Sequence, residues 1–328
     1  MALSANSDPA ATAAVLPARV RFSSFLDHSA TELCAFSNAV SVGWAEGSTT
    51  QTPQSYAERL ALRCTDYSRS LVMFACTDDG GEKFAGRAQV VVDVEAGRVC
   101  CQSFAIRSEF RGLGYGKLLA RRMLQVALDP ARSPAYSNLT INYYAYNVPA
   151  DKLYKSVGFE PTGLYTHSLS LPTDKLPPVR RQLAVLSKSG VKADLPFDFS
   201  HPALLLESRL VCLLLEADRM QTYWSKRGSR AGIVVRKKRV GRKLSVMCAF
   251  GTAEDLGQLL AAVVTTEGQD PVDAVEAANV PEGSPAWQEW VALGSSGNPQ
   301  KRLVNMAYEH PMLTSPDPLF SRSVERTK

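Results

Sequence analysis

The sequence predicts an α+β fold, a mixed but mostly antiparallel sheet flanked by helices and followed by a second half built in a similar order. Three observations predict it. Residues 70–106 alternate apolar and polar positions in three runs joined by glycine-bearing turns, which is the pattern of an antiparallel meander. Beyond it, helical and strand periodicities alternate up to residue 170. Finally, Asn279-Val-Pro281 before a helical stretch ending at Gly294 echoes Asn147-Val-Pro149 before one ending at Gly158, which points to a duplicated domain.

In chain order, residues 19–25 read as a short strand, and residues 27–44 and 52–66 as helices. Residues 70–77, 84–94 and 98–106 form the meander. Residues 112–116 open a helix to about 128, residues 138–146 are strand-like, 149–157 helical and 159–169 strand-like again. The order is therefore βααβββαβαβ. The segment Leu171-Pro-Thr-Asp-Lys-Leu-Pro-Pro178 breaks both periodicities and reads as a linker. In the second half, residues 203–224 read as a helix, 233–239 and 243–250 as strands and 252–264 as a helix. The expected organisation is a flexible tail over 1–18, a first domain over 19–170, the linker over 171–178, a second domain over 179–310 and a flexible tail over 311–328.

Composition narrows the function classes. With 328 residues, 45% of them hydrophobic and 21% charged, the chain is long enough for two cores. No apolar run approaches the roughly 20 residues that span a bilayer, so no membrane association is expected. Seven cysteines without a Cys-x-x-Cys suit a reducing, cytoplasmic compartment. His28, His167, His201 and His310 show no ligand spacing, so no metal is expected. The formal charge of +5 is concentrated at Arg236-Lys-Lys-Arg-Val-Gly-Arg-Lys243, six basic residues in eight. That run reads as an exposed hairpin; a nuclear-import signal would require a eukaryotic source. Nucleic acid is disfavoured because no aromatics are interleaved with the charge.

The sharpest signal is Phe104-Ala-Ile-Arg-Ser-Glu-Phe-Arg-Gly-Leu-Gly-Tyr-Gly-Lys117, a strand end running through a glycine-rich turn into a helix. Glycines at 112, 114 and 116 let backbone N–H groups converge on an anion at the positive end of a helix dipole, with Arg111 and Lys117 adding charge. An ordinary strand-to-helix turn is the plain alternative. A dinucleotide fold would place Gly-x-Gly-x-x-Gly in a parallel βαβ unit, and a nucleoside-triphosphate loop would follow Gly-Lys with Ser or Thr, where this chain has Leu118.

Arg111-Gly-Leu-Gly-Tyr-Gly116 resembles the Arg/Gln-x-x-Gly-x-Gly/Ala pyrophosphate motif of the GNAT superfamily of acetyl-CoA-dependent N-acetyltransferases. Asn147-Val-Pro-Ala-Asp-Lys-Leu-Tyr-Lys-Ser-Val-Gly-Phe159 resembles that superfamily's second signature. The resemblance covers about residues 19–170 and implies a sheet splayed between the strands ending near Ile106 and Tyr146. It also implies acetyl-CoA as co-substrate, held by Phe104, Ala105 and Ile106 beside pantetheine, by Arg111, Gly112, Leu113, Gly114, Tyr115, Gly116 and Lys117 around the pyrophosphate, and by Asn147.

By that resemblance Tyr154 is the general acid for the leaving thiolate; its plain alternative is a packing aromatic. A strand N–H near Ile106 would bind the oxyanion. The expected acceptor is an amine on a small molecule, a protein lysine or an N-terminus, and a homodimer is compatible. No general base stands out. Gln102 occupies a position where Glu would be persuasive, and Glu46, Glu82 and Asp93 read as solvated charges. Tyr144 and Tyr146 share a strand face and could line the acceptor cleft, whereas Tyr143 points the other way.

In the second half, Ala249-Phe-Gly-Thr-Ala-Glu-Asp-Leu256 replaces the glycine cradle with carboxylates, and Trp290 falls where Tyr154 stands. That half reads as a degenerate copy, as in tandem members of the superfamily. A protein that keeps the CoA-binding loop as a sensor or scaffold, without turnover, is the alternative function.

Overall fold

The structure is a computed structural model that describes residues 20–41, 50–76, 80–94, 97–179, 220–224, 231–236, 242–266, 271–298 and 302–309. The expected tails over 1–18 and 311–328, Glu46, most of the basic run and residues 203–219 lie outside the described residues.

The first half runs β1 (Val20–Ser24), α1 (Ala30–Ser41), α2 (Pro53–Leu62), β2 (Leu71–Cys76), β3 (Glu82–Asp93), β4 (Arg98–Ile106), α3 (Tyr115–Ala127), β5 (Asn138–Tyr144), α4 (Val148–Ser156) and β6 (Glu160–Pro172). The second runs β7 (Met220–Trp224), β8 (Gly232–Arg236), β9 (Lys243–Phe250), α5 (Ala253–Thr266), β10 (Ala274–Pro281), α6 (Pro285–Ala292), β11 (Ser296–Gly297) and β12 (Leu303–Glu309). This is the predicted α+β order, with a mixed, mostly antiparallel sheet.

Helix starts follow capping chemistry. The Ser29 hydroxyl accepts from the Glu32 N–H at 3.2 Å while the Glu32 carboxylate accepts from the Ser29 N–H at 2.8 Å, a reciprocal box that opens α1. Thr52 caps α2 with Pro53 at its first turn, and Asn147 caps α4. Helix α2 stops at Leu62, short of residue 66, because Cys64 turns at φ 51° and Thr65 bridges to Val91 of β3. Within the expected helix over 203–224, residues 220–224 are instead strand β7, paired with β8. Its β-branched and aromatic residues fit a sheet, and pairing decides what a short apolar run cannot.

All strands but β11 lie in the order β1-β2-β3-β4-β5-β12-β6-β10-β9-β8-β7, with β11 joining β6. Read outward from the central β12–β6 pair, each half presents the same series: a strand (β5 or β10), a parallel neighbour (β4 or β9), then an antiparallel meander. The halves are exchanged at the centre. The strand that follows α4 does not return to β5; its later part, from Thr166 to Pro172, pairs with β10. Strand β12, the second after α6, crosses back and pairs with β5, from Leu303 opposite Tyr144 to Glu309 opposite Asn138.

Each half thereby buries a strand of the other. Met306 of β12 is fully buried in the core of the first half, with Leu119, Met123 and Leu139. Leu169 and Leu171 of β6 are fully buried in the core of the second, with Ile233, Leu260 and Trp290. Leu171 and Pro172, expected in the linker, are the last residues of β6, opposite Val275 and Ala274. A third core, around Phe25, Tyr56, Leu60 and Val72, packs α1 and α2 on the opposite face of the first half's sheet from α3 and α4.

Candidate active site

The glycine-rich turn sits at the end of β4. A short 3-10 turn, Ser108–Phe110, carries the chain out of the strand, and Arg111 Nε donates back to the Ile106 carbonyl at 3.0 Å, pinning the loop to the strand end. Gly112 and Gly114 adopt φ 77° and 84°, and a Cβ added at either would meet nothing within 4 Å. Both need the left-handed region, and both face open space where an anion can approach the backbone. Gly114 is the residue before helix α3, whose first N–H groups have no helical partner. Gly116 has a different role: a Cβ there would lie 3.3 Å from Leu153, so its absence lets α3 close on α4 one residue before Tyr154. Lys117 is exposed beside the turn, and Leu113 is exposed on it. Tyr115 is buried edge-on against Phe110.

Strands β4 and β5 pair in parallel only at Cys100 with Thr140 and Cys101 with Ile141, then part. A β-bulge coincides with the parting, because Ser103 opposes Gln89 and Cys101 opposes Val90, leaving Gln102 extra. The gap holds a cleft of about 260 Å³. Gln102, Ser103 and Phe104 line one wall and Tyr143 and Tyr144 the other, with Asn147 and Tyr154 from α4 and Leu303 from β12 closing it. Of the residues expected beside pantetheine, Phe104 lines the cleft, Ala105 packs on the α1–α2 face and Ile106 packs against α3. Tyr146 is exposed and stacks on Tyr144, while Tyr143, expected to point away, lines the cleft as well.

Tyr154 is 4% exposed and sits edge-on to Phe104 at 5.9 Å. Burial pushes its phenol well above the ordinary tyrosine range, and the neighbouring Cys101 and Tyr143 push the same way. Tyr143 donates its hydroxyl to the Asp151 carboxylate at 2.6 Å, so its proton is already committed. Cys101 also lines the cleft, and burial raises its thiol far above the usual range, which disfavours the nucleophilic thiolate.

The candidate bases lie elsewhere. Glu82 is ion-paired with Arg21. Asp93 is 6% exposed, not solvated, and faces Arg98 at the hairpin end of β3, away from the cleft. Among the described residues, no carboxylate or histidine lines the cleft. Among the described residues, no three His, Cys, Asp or Glu side chains form a metal-ligand group, and no helix is long and apolar enough to cross a membrane.

In the second half the start of α5 is already occupied. Thr252 accepts from the Asp255 N–H at 3.3 Å, and the Glu289 carboxylate of α6 accepts from the Ala253 N–H. A carboxylate supplied by the fold therefore takes the place a phosphate would need. Trp290, on α6, is 1% exposed in the second core. Spacing could not reveal three lining contributions: Ser103 and Asn142 carry no motif, and Leu303 comes from the far end of the chain.

Residues 35–159 match the family model described as acetyltransferase (GNAT) family. No curated protein matches the chain. A tandem GNAT protein from the clavulanic acid biosynthesis pathway, solved without AcCoA, shares its fold with a TM-score of 0.59 at 14% identity, over 91% of this chain and 100% of that one. A GCN5-related N-acetyltransferase from Sphaerobacter thermophilus gives 0.54 at 15% identity, over 90% and 98%. One from Kribbella flavida gives 0.54 at 16%, over 88% and 70%. The family and the fold support acyl transfer. Residues 35–159 thus match the acetyltransferase (GNAT) family, in a chain whose fold is similar to that of a tandem GNAT protein.

Proposed function

We propose that the chain moves an acetyl group from acetyl-CoA to a primary amine by direct attack, at a single site in the first half. One observation carries this reading: helix α3, which opens at the glycine turn, closes at Gly116 on Leu153 of α4, one residue before a buried, proton-retaining Tyr154 that lines the parting of β4 and β5. The open, left-handed positions at Gly112 and Gly114 fit a pyrophosphate, because any side chain there would be strained and would fill the approach.

In this mechanism the N–H groups of the Gly112–Gly116 turn and the guanidinium of Arg111 hold the pyrophosphate. Beyond Cys101, β4 no longer pairs with β5, so a backbone N–H on that edge is free to bind the thioester carbonyl and the developing oxyanion. The attacking nitrogen must be neutral, and with no carboxylate or histidine among the described residues of the cleft its proton leaves through water. Tyr154 donates a proton to the departing thiolate. Its raised pKa keeps that proton in place, whereas an ordinary phenol would begin to lose it near pH 10. The protonated Cys101 argues against an acyl-cysteine route.

The test is thiol release from acetyl-CoA with a panel of amines, read together with CoA binding. Turnover with at least one amine is expected, and the intact protein should carry no acetyl adduct by mass spectrometry. That no carboxylate lines the cleft among the described residues favours a second reading, a CoA sensor without turnover; tight CoA binding with no thiol release on any amine would establish that one. Two further results are expected. Gly114→Ala weakens acetyl-CoA binding about tenfold by calorimetry, since a non-glycine residue in the left-handed region costs about 1–2 kcal/mol. The kcat profile shows no basic limb below about pH 10. A limb near pH 8 that disappears in Tyr154→Phe would refute the proton-retaining role.

A further inference from the structure

Behind Ser103, on one wall of the cleft, lies a charge that no described carboxylate balances. Arg87 of β3 is 4% exposed. It donates through Nη1 to the Tyr56 hydroxyl at 2.7 Å and through Nη2 to Ser103 Oγ at 3.0 Å, while its buried Nε has no partner. Arg59 lies over the ring of the same Tyr56 at 4.9 Å, and its Nε is likewise buried without a partner. Among the described residues no carboxylate pairs with either arginine. Burial lowers the Arg87 pKa and Arg59 lowers it further, yet a guanidinium remains charged in a protein. A buried cation without a counter-charge is costly, and a bound anion would offset that cost.

Ser103 connects this charge to the cleft. Its oxygen accepts from Arg87, so its own proton is free to donate, and Ser103 is a lining residue. The neighbouring bulge residue, Gln102, also lines the cleft and has a buried side-chain oxygen without a donor. A donor backed by a cation therefore stands beside an orphan acceptor. Ser103 lies across from the α3–α4 face that presents the glycine turn and Tyr154, because its partner Arg87 bonds Tyr56 of the α1–α2 face. The thioester and its acceptor would thus enter from opposite faces of the sheet.

We infer that, if the chain is the acetyltransferase proposed above, its acceptor is an amine that also bears an anionic group such as a carboxylate or phosphonate, with the anion on Ser103 backed by Arg87 and the amine N–H on the Gln102 side-chain oxygen. Ser103 orients the anion, and Gln102 turns the nitrogen lone pair toward the thioester. Polycations such as polyamines are poor acceptors, because the uncompensated arginines repel them.

The experiment is thiol release from acetyl-CoA with matched pairs: glycine, β-alanine and γ-aminobutyrate against their primary amides, aminomethylphosphonate against methylamine, and spermidine. A charge-assisted hydrogen bond predicts that the anionic member of at least one pair is favoured about 10- to 100-fold in kcat/KM. Ser103→Ala should narrow that ratio to within a few-fold, and Arg87→Gln should do the same if it folds. Equal turnover of every pair, a preference for spermidine, or a Ser103→Ala variant that slows both members alike would overturn the inference while leaving the acetyltransferase intact. CoA binding with no thiol release from any amine would overturn both.

Discussion

Tyr154→Phe lowers kcat by about 10²- to 10⁴-fold, the usual contribution of a positioned general acid, with acetyl-CoA affinity within about twofold of the unaltered protein. The substitution is mild in structural terms. Phenylalanine keeps the edge-on contacts with Phe104 and Phe159 and the tilted one with Tyr143, and it removes only the hydroxyl. Stability should therefore change little, so a kinetic loss reports on chemistry. Steady-state kinetics and calorimetry on one preparation distinguish the outcomes. Unchanged kcat with a confirmed acceptor would make Tyr154 a packing aromatic, and Tyr143 could not replace it without releasing Asp151.

The second large effect lies far from the chemistry in sequence. A chain ending at residue 178 loses β12 and β10 together. This leaves β5 with an unpaired edge along its length and uncovers the apolar side chains of β6, Leu169 and Leu171. An open, flat strand edge beside a breached core favours aggregation over folding. The expected result is insoluble protein with no acetyl-CoA binding, even though every residue of the glycine turn and Tyr154 is retained. A soluble fragment that unfolds cooperatively and binds acetyl-CoA would show the exchanged strands to be dispensable. Met306→Ala tests the same dependence in the full chain. Removing a fully buried methionine from the first core costs about 2–5 kcal/mol, readable as a lower denaturation midpoint.

The exchange also gives the degenerate half a role. Its own anion site is filled by Glu289 and its acid position by Trp290, yet it supplies the strand that completes the first half's sheet and the Leu303 side chain at the cleft. Losing its last strand would leave β5 without a partner along that edge.

Local chemistry made the site's framework legible. Glycines at 112 and 114 mark positions where a residue without a Cβ turns left-handed at least cost, and the Asn147 cap, the Tyr154 position and Gly158 are all set by the geometry of one short helix. The period-2 meander gave its three strands nearly to the residue. Where periodicity was weak, in the run ending at Trp224, pairing with β8 overrode the helical pattern. Asp93 looked like a solvated charge because spacing carries no information about which strand end is covered.

What the sequence alone determined is an α+β chain of two similarly ordered halves, with one candidate anion turn and one candidate acid, because each follows from residues within a helical turn or two of one another. The tertiary structure decided the rest. That β12 rather than β6 lies beside β5, that a bulge at Gln102 turns Ser103 toward Arg87, and that the cleft joins two faces of the sheet all depend on pairing between distant segments. Such pairing is fixed by which buried backbone groups and apolar faces satisfy one another, and no local spacing encodes it.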